Sequence, residues 1–435
     1  MSSSPSISQA LETGITFAEP LFELIGRRSF DGVGFTRAAY GKGEQMAHEV
    51  VAKAAAELGL EVTHDAALNM TMVLKGQNSA LPPLVIGSHL DAVPQGGNFD
   101  GLAGVLAGLA CVATLIKSGR IPSRDIHVMA IRSEESAWFG AQHVGSRAML
   151  GTLPAEILSE ARRVDTYRTL AEHMEEAGVD ISKIAFGTPL RDPQTIAGYV
   201  EVHIEQGPVL VRRKHPLGVA VGIRGNRRCR RAICHGAYGH SGTLPRALRN
   251  DAVFAVAELV CAMDRLWRDI EEDEGGDLVV TFGKFVTDYQ RHSVTTVPGQ
   301  VEFSFDARSL SAETLDRVER TLMDTANRIS KERGVRFEFS TLTGDVPVDM
   351  NDSFCRQLIK GAHELCIPAE SIMSGAGHDA GDFAESGVPS ALIFVRNDKG
   401  SHNPEEAMEI ADWAESVRLL VWFVSHFEEI ASHAE

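Results

Sequence analysis

Two hydrophobic patterns alternate along the first 210 residues. Apolar positions recur at helical spacing from Gly43 to Leu58, where Gly59 stops the run. Leu102 to Ile116 is almost wholly apolar, and its Gly and Ala content predicts a buried helix packed close to a sheet. Between these lie short apolar runs that predict buried strands: Leu84 to Ser88, Asp125 to Arg132 and Tyr199 to Ile204. Such alternation predicts a largely parallel sheet with helices on both faces. The end of the chain repeats it, with a helix near 352–365, a strand from Ala391 to Val395 and a last helix from about Glu405.

The middle of the chain is patterned differently. Leu217 to His235 alternates basic and apolar residues, which predicts exposed antiparallel strands. A helix from about Asn250 to Ile270 follows, then a strand near 278–286 and another from Gln300 to Arg308. A helix over 311–333 and a strand from Arg336 to Leu342 complete the region. Two helices and about four strands predict a small α+β open-faced sandwich. The fold class expected is therefore α/β, with a mostly parallel central sheet and an inserted α+β domain. The catalytic domain would comprise residues 1–213 and 346–435, and the inserted domain 214–345. The acidic run Glu271 to Glu274, just before Gly275-Gly276, reads as a solvated loop.

Composition narrows the class. A chain of 435 residues fits two large domains as well as three of roughly 150 residues. The formal net charge of −17 argues against nucleic-acid binding and against a polybasic membrane anchor. Six cysteines, at 111, 229, 234, 261, 355 and 366, form no C-x-x-C pair and read as reduced thiols. The opening MSSSPSISQALETG has neither a basic nor an apolar segment of the secretory kind. The longest apolar stretch falls short of the ~18–20 residues that a spanning helix needs. A cytoplasmic protein without a membrane partner is expected.

Chemistry gathers at the ends of the predicted strands. In GSHLDAVPQGGNFDG, His89 directly follows a buried strand, where ligands of open α/β folds collect. Asp91 is placed to orient its imidazole, and Asp100 is either a helix N-cap or a carboxylate aimed into the same cleft. Glu134 and Glu135 close the 125–132 strand; one could bind a metal while its neighbour acts as base on an attacking water. His203 lies late in YVEVHI, and His402 follows the strand ALIFV. Each residue alone is ordinary, because single strand-end histidines and solvated acids are common. Three histidines and two carboxylates converging on one sheet edge, with no cysteine among them, suit a hydrolytic two-metal site. Asp100 is the natural bridge between two ions.

The stretches GSHLDAVPQGGNFDGLAGV, RSEES, EVHIEQGPVL, GHSGTLP, TVPGQVEFSFDAR, SGAGHDA and SHNPEE resemble the two-zinc aminoacylase and carboxypeptidase superfamily. The resemblance is to its branch of N-carbamoyl-L-amino-acid hydrolases, β-ureidopropionases and allantoate amidohydrolases. A weaker match, GFTRAAYGKGEQMA, begins at Gly34. The resemblance implies that His89, Asp100 and His203 hold one zinc or manganese ion, and that Asp100, Glu135 and His402 hold the other. Cobalt also fits. Glu134 would be the general base. His240 would reach the partner subunit's site and stabilise the oxyanion. Arg308 would hold the substrate carboxylate. Gln206, Asn226, Arg227, Gly377 and His378 would contact the substrate. The inserted domain would also make a homodimer.

Three departures bear on the substrate pocket. Trp138 stands where the family usually has arginine, and Thr295 where it usually has asparagine. The loop before His402 is also short and carries Arg396. The expected activity is metal-dependent hydrolysis of a non-peptide C–N bond in a small carboxylated amide or ureido compound. An N-acyl amino-acid hydrolase or dipeptidase of the same superfamily is the alternative. A non-catalytic binding relative is disfavoured by the complete ligand set.

Overall fold

The structure, a computed structural model, describes residues 7–184 and 187–431. The first six residues of the opening segment lie outside it, and Ile7–Ala18 is helical. The chain divides into two compact units, one of residues 1–221 with 349–435 and one of residues 222–348.

The first unit is built on a nine-stranded sheet. Its principal strands are β1 (Glu61–His64), β2 (Met70–Leu74), β3 (Leu84–His89), β4 (Ile126–Ile131), β5 (Gly198–Ile204), β6 (Leu217–Ile223) and β7 (Ser390–Val395). Across the sheet they run β6, β7, β5, β3, β4, β2, β1. The four central strands β7, β5, β3 and β4 are mutually parallel. Antiparallel strands flank them on both sides. The central runs are Val-, Ile- and Leu-rich and buried along their length, as strands covered on both faces must be.

The apolar run after Asp100 forms a helix, Leu102–Ser118, whose first 14 residues are all buried. Its glycines allow close approach to the sheet. A Cβ at Gly104 would fall 2.0 Å from the Val202 carbonyl oxygen. This helix therefore seats its N-terminus, and Asp100 with it, beside the end of β5.

Leu217–Ile223 corrects one expectation. It is not an exposed strand but a buried strand within the main sheet, with Leu217, Val219 and Ala220 fully buried. The basic residues that suggested exposure begin only at Arg224, and those after it belong to the next strand, Gly225–His235.

The second unit holds a five-stranded antiparallel sheet in which Gln300–Ser309 pairs with Gly225–His235, and Arg336–Phe339 extends the far edge. Helices Ala252–Arg268 and Ala312–Arg333 cover one face. Val301, Phe303, Phe305 and Ala307 alternate inward against Leu259, Met263, Val318 and Leu322 in one apolar core. The acidic run is solvated as expected, but only Glu274 is outside a helix: Asp269–Asp273 prolongs the preceding helix by one wide turn.

Among the described residues, no helix is long and apolar enough to cross a membrane.

Candidate metal centre

The carboxyl ends of the four parallel strands meet at one place. His89 ends β3, His203 is the penultimate residue of β5, Glu134 and Glu135 follow β4, and His402 follows β7. His89 Nε2 and His203 Nε2 lie 3.3 Å apart. Asp100 Oδ1 is 3.3 Å from the first and 3.2 Å from the second. Donors at the ~2.0–2.1 Å bond lengths of tetrahedral zinc would stand about 3.3 Å from one another, so this triangle has the right edge. Asp100 Oδ1 is buried and makes no hydrogen bond among the described residues. The other oxygen of Asp100 faces His402 Nε2 at 3.9 Å, and His402 Nε2 is 3.1 Å from Glu135 Oε1. Asp100 thus presents one oxygen to each of two donor sets, one with His89 and His203, the other with Glu135 and His402. Both sets fit a metal ion.

Charge favours the same conclusion. Asp91, Asp100, Glu134 and Glu135 are all buried. Four carboxylates in so little space favour a cation among them. Burial pushes the Glu135 carboxyl up, and Asp100 and Glu134 add to this against His402, bringing it to about 7. Burial opposes charge on His203, but Asp100 outweighs it and raises the imidazole to about 9. Burial likewise raises Glu134, yet the imidazoles of His89 and His143 win and bring it down to about 2.

The backbone is arranged around these side chains. Asp91 accepts the N–H groups of Glu134 and Glu135, each at 3.1 Å, and its Oδ1 lies 3.3 Å from His89 Nδ1. One carboxylate therefore fixes both the first imidazole and the turn that carries the two acids. Ser133 and His402 are held at φ 53° and 60°. Non-glycine residues in that region are strained, and such strain concentrates at functional sites. Gln206 donates to Asp100 Oδ2 at 2.9 Å, within reach of His402. His378 is buried with its ring against His203, and neither of its nitrogens has a partner among the described residues. Gly377 packs against the ring of His143.

The expected residues of the second unit fall in two places. His240 and Thr296 face each other on a short ladder, and Thr295 accepts the Ser241 N–H, so His240 and Thr295 are neighbours. Asn226 and Arg308 are cross-strand partners. Asn226 donates to Asp345, and the Arg308 Nε to Asp306. Arg227 does not share their face. Successive strand residues point to opposite sides, and its guanidinium turns to the helix layer, where it pairs with Asp316 and Glu319. Trp138 is buried and donates its indole N–H to the Ala92 carbonyl at 2.8 Å, so it braces the loop after His89.

Three contributors escaped the sequence reading. Arg37 is fully buried; it donates to the carbonyls of Leu90 and Asp100 and to the Asn98 side chain, clasping both limbs of the His89–Asp100 loop. It lies inside GFTRAAYGKGEQMA, so a signal existed. Glu406 and His143 also stand at the site, and only the SHNPEE stretch hinted at the first.

A largely parallel α/β sheet carrying two histidine–carboxylate sets that share one aspartate, with a further glutamate alongside, is the build of a metal-dependent hydrolase. The chain belongs to peptidase family M20/M25/M40, whose family model matches residues 85–426. It is 36% identical to an N-carbamoyl-L-amino acid amidohydrolase of Geobacillus stearothermophilus, over 93% of this chain and 96% of that protein. It is 31% identical to an allantoate amidohydrolase of Escherichia coli (strain K12), over 89% and 91%. Among solved structures it resembles a hydantoinase/carbamoylase family amidase from Burkholderia multivorans, with a TM-score of 0.83, 26% identity and 98% of each chain covered.

Proposed function

We propose that this protein is a metal-dependent amidohydrolase acting on N-carbamoyl-L-amino acids, with β-ureido acids and allantoate as related substrates. One observation carries the chemistry. Asp100 Oδ1 stands at 3.2–3.3 Å from two imidazole nitrogens, while Glu134 Oε2, free of the donor sets, lies 3.9 Å from one of them. The names of the relatives support the substrate class.

Two zinc or manganese ions would be held, one by His89, Asp100 and His203, the other by Asp100, Glu135 and His402. When bound, they would supply Lewis acidity toward the carbonyl and make water a better nucleophile. Glu134 takes a proton from the attacking water as its oxygen adds to the carbonyl carbon. Glu134 then delivers that proton to the departing nitrogen as the C–N bond breaks. Asp91 keeps His89 in the tautomer that offers Nε2. Gln206, Gly377 and His378 line the substrate position, with Asn226 and Thr295 as further contacts. Arg308 takes the substrate carboxylate in a two-pronged bond. His240, contributed by a second subunit of a homodimer, donates to the developing oxyanion. Free thiols at all six cysteines suit the reducing cytoplasm.

The test is a panel of N-carbamoyl, N-formyl and N-acetyl amino acids with allantoate, assayed with Zn, Mn and Co. N-carbamoyl substrates should be turned over fastest, with release of ammonia and carbon dioxide. Faster turnover of the acetyl series, without ammonia, would instead make the protein an N-acyl amino-acid hydrolase.

A further inference from the structure

His143 is a buried histidine with an acid on each side. Its Nδ1 lies 2.7 Å from Asp382 Oδ2, and its Nε2 lies 3.3 Å from Glu134 Oε1. The residue is not casually placed. It adopts φ 55°, costly for a side chain of this size, at the start of the helix Val144–Leu150. Its N–H is bonded to the carbonyl of Glu134 at 2.8 Å, which ties the backbone of the two residues together. A Cβ at Gly377 would come within 2.8 Å of the ring, so glycine there leaves room for the imidazole. Asp382 is itself within reach of the Ser146 hydroxyl, at 3.3 Å.

We propose that His143, oriented by Asp382, is the positioning residue for the general base Glu134. This inference rests on the proposed role of Glu134. The geometry divides the carboxylate between two tasks. Oε1 is engaged by His143, which leaves Oε2 on the side of His89 and the metal donors. A base acts only when its lone pair is held at the proton it removes, and small misplacements are costly. Glu134 also sits beside Glu135 in a crowded acidic cluster. Without a donor on Oε1, the carboxylate is free to rotate toward either metal set. Asp382 gives the ring the same service that Asp91 gives His89: it fixes which nitrogen faces which partner.

The test uses three substitutions in the metal-loaded, full-length protein. His143→Leu removes both polar contacts and should lower kcat about 100-fold with KM changed less than about threefold. His143→Gln can still extend an N–H toward Glu134, and should recover at least about tenfold of that loss. His143→Asn is the better substitute for a left-handed backbone, but its amide reaches only as far as Nδ1 and should not recover kcat. If Asn rescues better than Gln, the role is backbone geometry and the inference is overturned. It is overturned equally if His143→Leu leaves kcat unchanged. Metal content of each variant is measured alongside, and loss of metal in His143→Gln as well as His143→Leu would also reject a role through Glu134. Wild-type inactivity on every member of the substrate panel would sink the functional reading itself, and the inference with it. Wild-type activity with an indifferent His143→Leu would sink the inference alone.

Discussion

Glu406 accepts the backbone N–H of Asp100 at 3.2 Å, and the Ser401 hydroxyl lies between the two side chains, 2.5 Å from Asp100 Oδ2 and 3.0 Å from Glu406 Oε2. The same Glu406 oxygen also takes the Phe99 N–H at 2.8 Å. The loop that carries His402 is thereby bonded to the loop that carries Asp100. Two candidate metal donors far apart in the sequence share one support. Gly97 makes room for it, since a Cβ there would fall 2.1 Å from the Glu406 carboxyl carbon.

Outer supports of this kind typically contribute 10- to 100-fold, by rough measure, to metal affinity. Glu406→Ala should therefore weaken the set of Asp100, Glu135 and His402 by about that factor, with the His89 set less affected. Glu406→Gln keeps an oxygen for the two N–H groups and should lose less. Stepwise metal titration against a competing chelator resolves the two sets. Equal losses in both variants would mean that the negative charge of Glu406, rather than its packing or the oxygen it offers the two N–H groups, supports the set.

Gly101 carries a second, steric prediction. It sits at φ 67°, and a Cβ would lie 2.5 Å from the His89 ring. Gly101→Ala meets both the backbone strain and the collision, and the ring must turn away from His203 and Asp100. Weaker binding at that set, with a fall in thermal midpoint, is expected from calorimetry and metal analysis. The collision involves a ligand, so added metal should recover only part of the stability.

Much of the centre was legible because buried strands announce themselves. The runs ending at His89, Ile131, Ile204 and Val395 are predominantly apolar, and the chemistry lies at or just beyond their ends. What was not legible depends on backbone turns and long reach. Nothing in the order of residues shows that Ser133, His143 and His402 adopt positive φ. Nothing local to His143 points to Asp382, which follows it by more than 200 positions. Arg227 misled because adjacency in sequence is opposition in a strand. Leu217–Ile223 misled because the arginines that follow it dominated the pattern.

A half-buried histidine outside the centre makes stability depend on pH. His127, on β4, is lowered to about 4, first by burial and then by Arg191, whose guanidinium meets Nδ1 at 3.1 Å. The fold keeps it neutral, whereas the unfolded chain protonates it near 6.5. Protons therefore favour the unfolded state as pH falls from about 6.5 to about 4, and this part of the stability is intact above that window. His127→Gln retains an acceptor for Arg191 and cannot titrate. Its denaturation midpoint should fall less steeply than that of wild type between those two pH values. Parallel curves would mean that His127 is already protonated in the fold.

Glu134→Gln separates binding from proton transfer. The amide preserves size and can still accept the bond from His143, but it has no basic lone pair for an attacking water. General-base catalysis is worth roughly 100- to 10,000-fold, so kcat should fall by at least that much. The metal sets are complete without Glu134, and metal content should stay as in wild type. KM should change little, because the substrate is held by other side chains. A variant that binds substrate without turnover would also allow the complex to be crystallised. If Glu134→Gln instead loses a metal ion and keeps a proportionate share of its activity, Glu134 is a ligand and the base must be sought elsewhere.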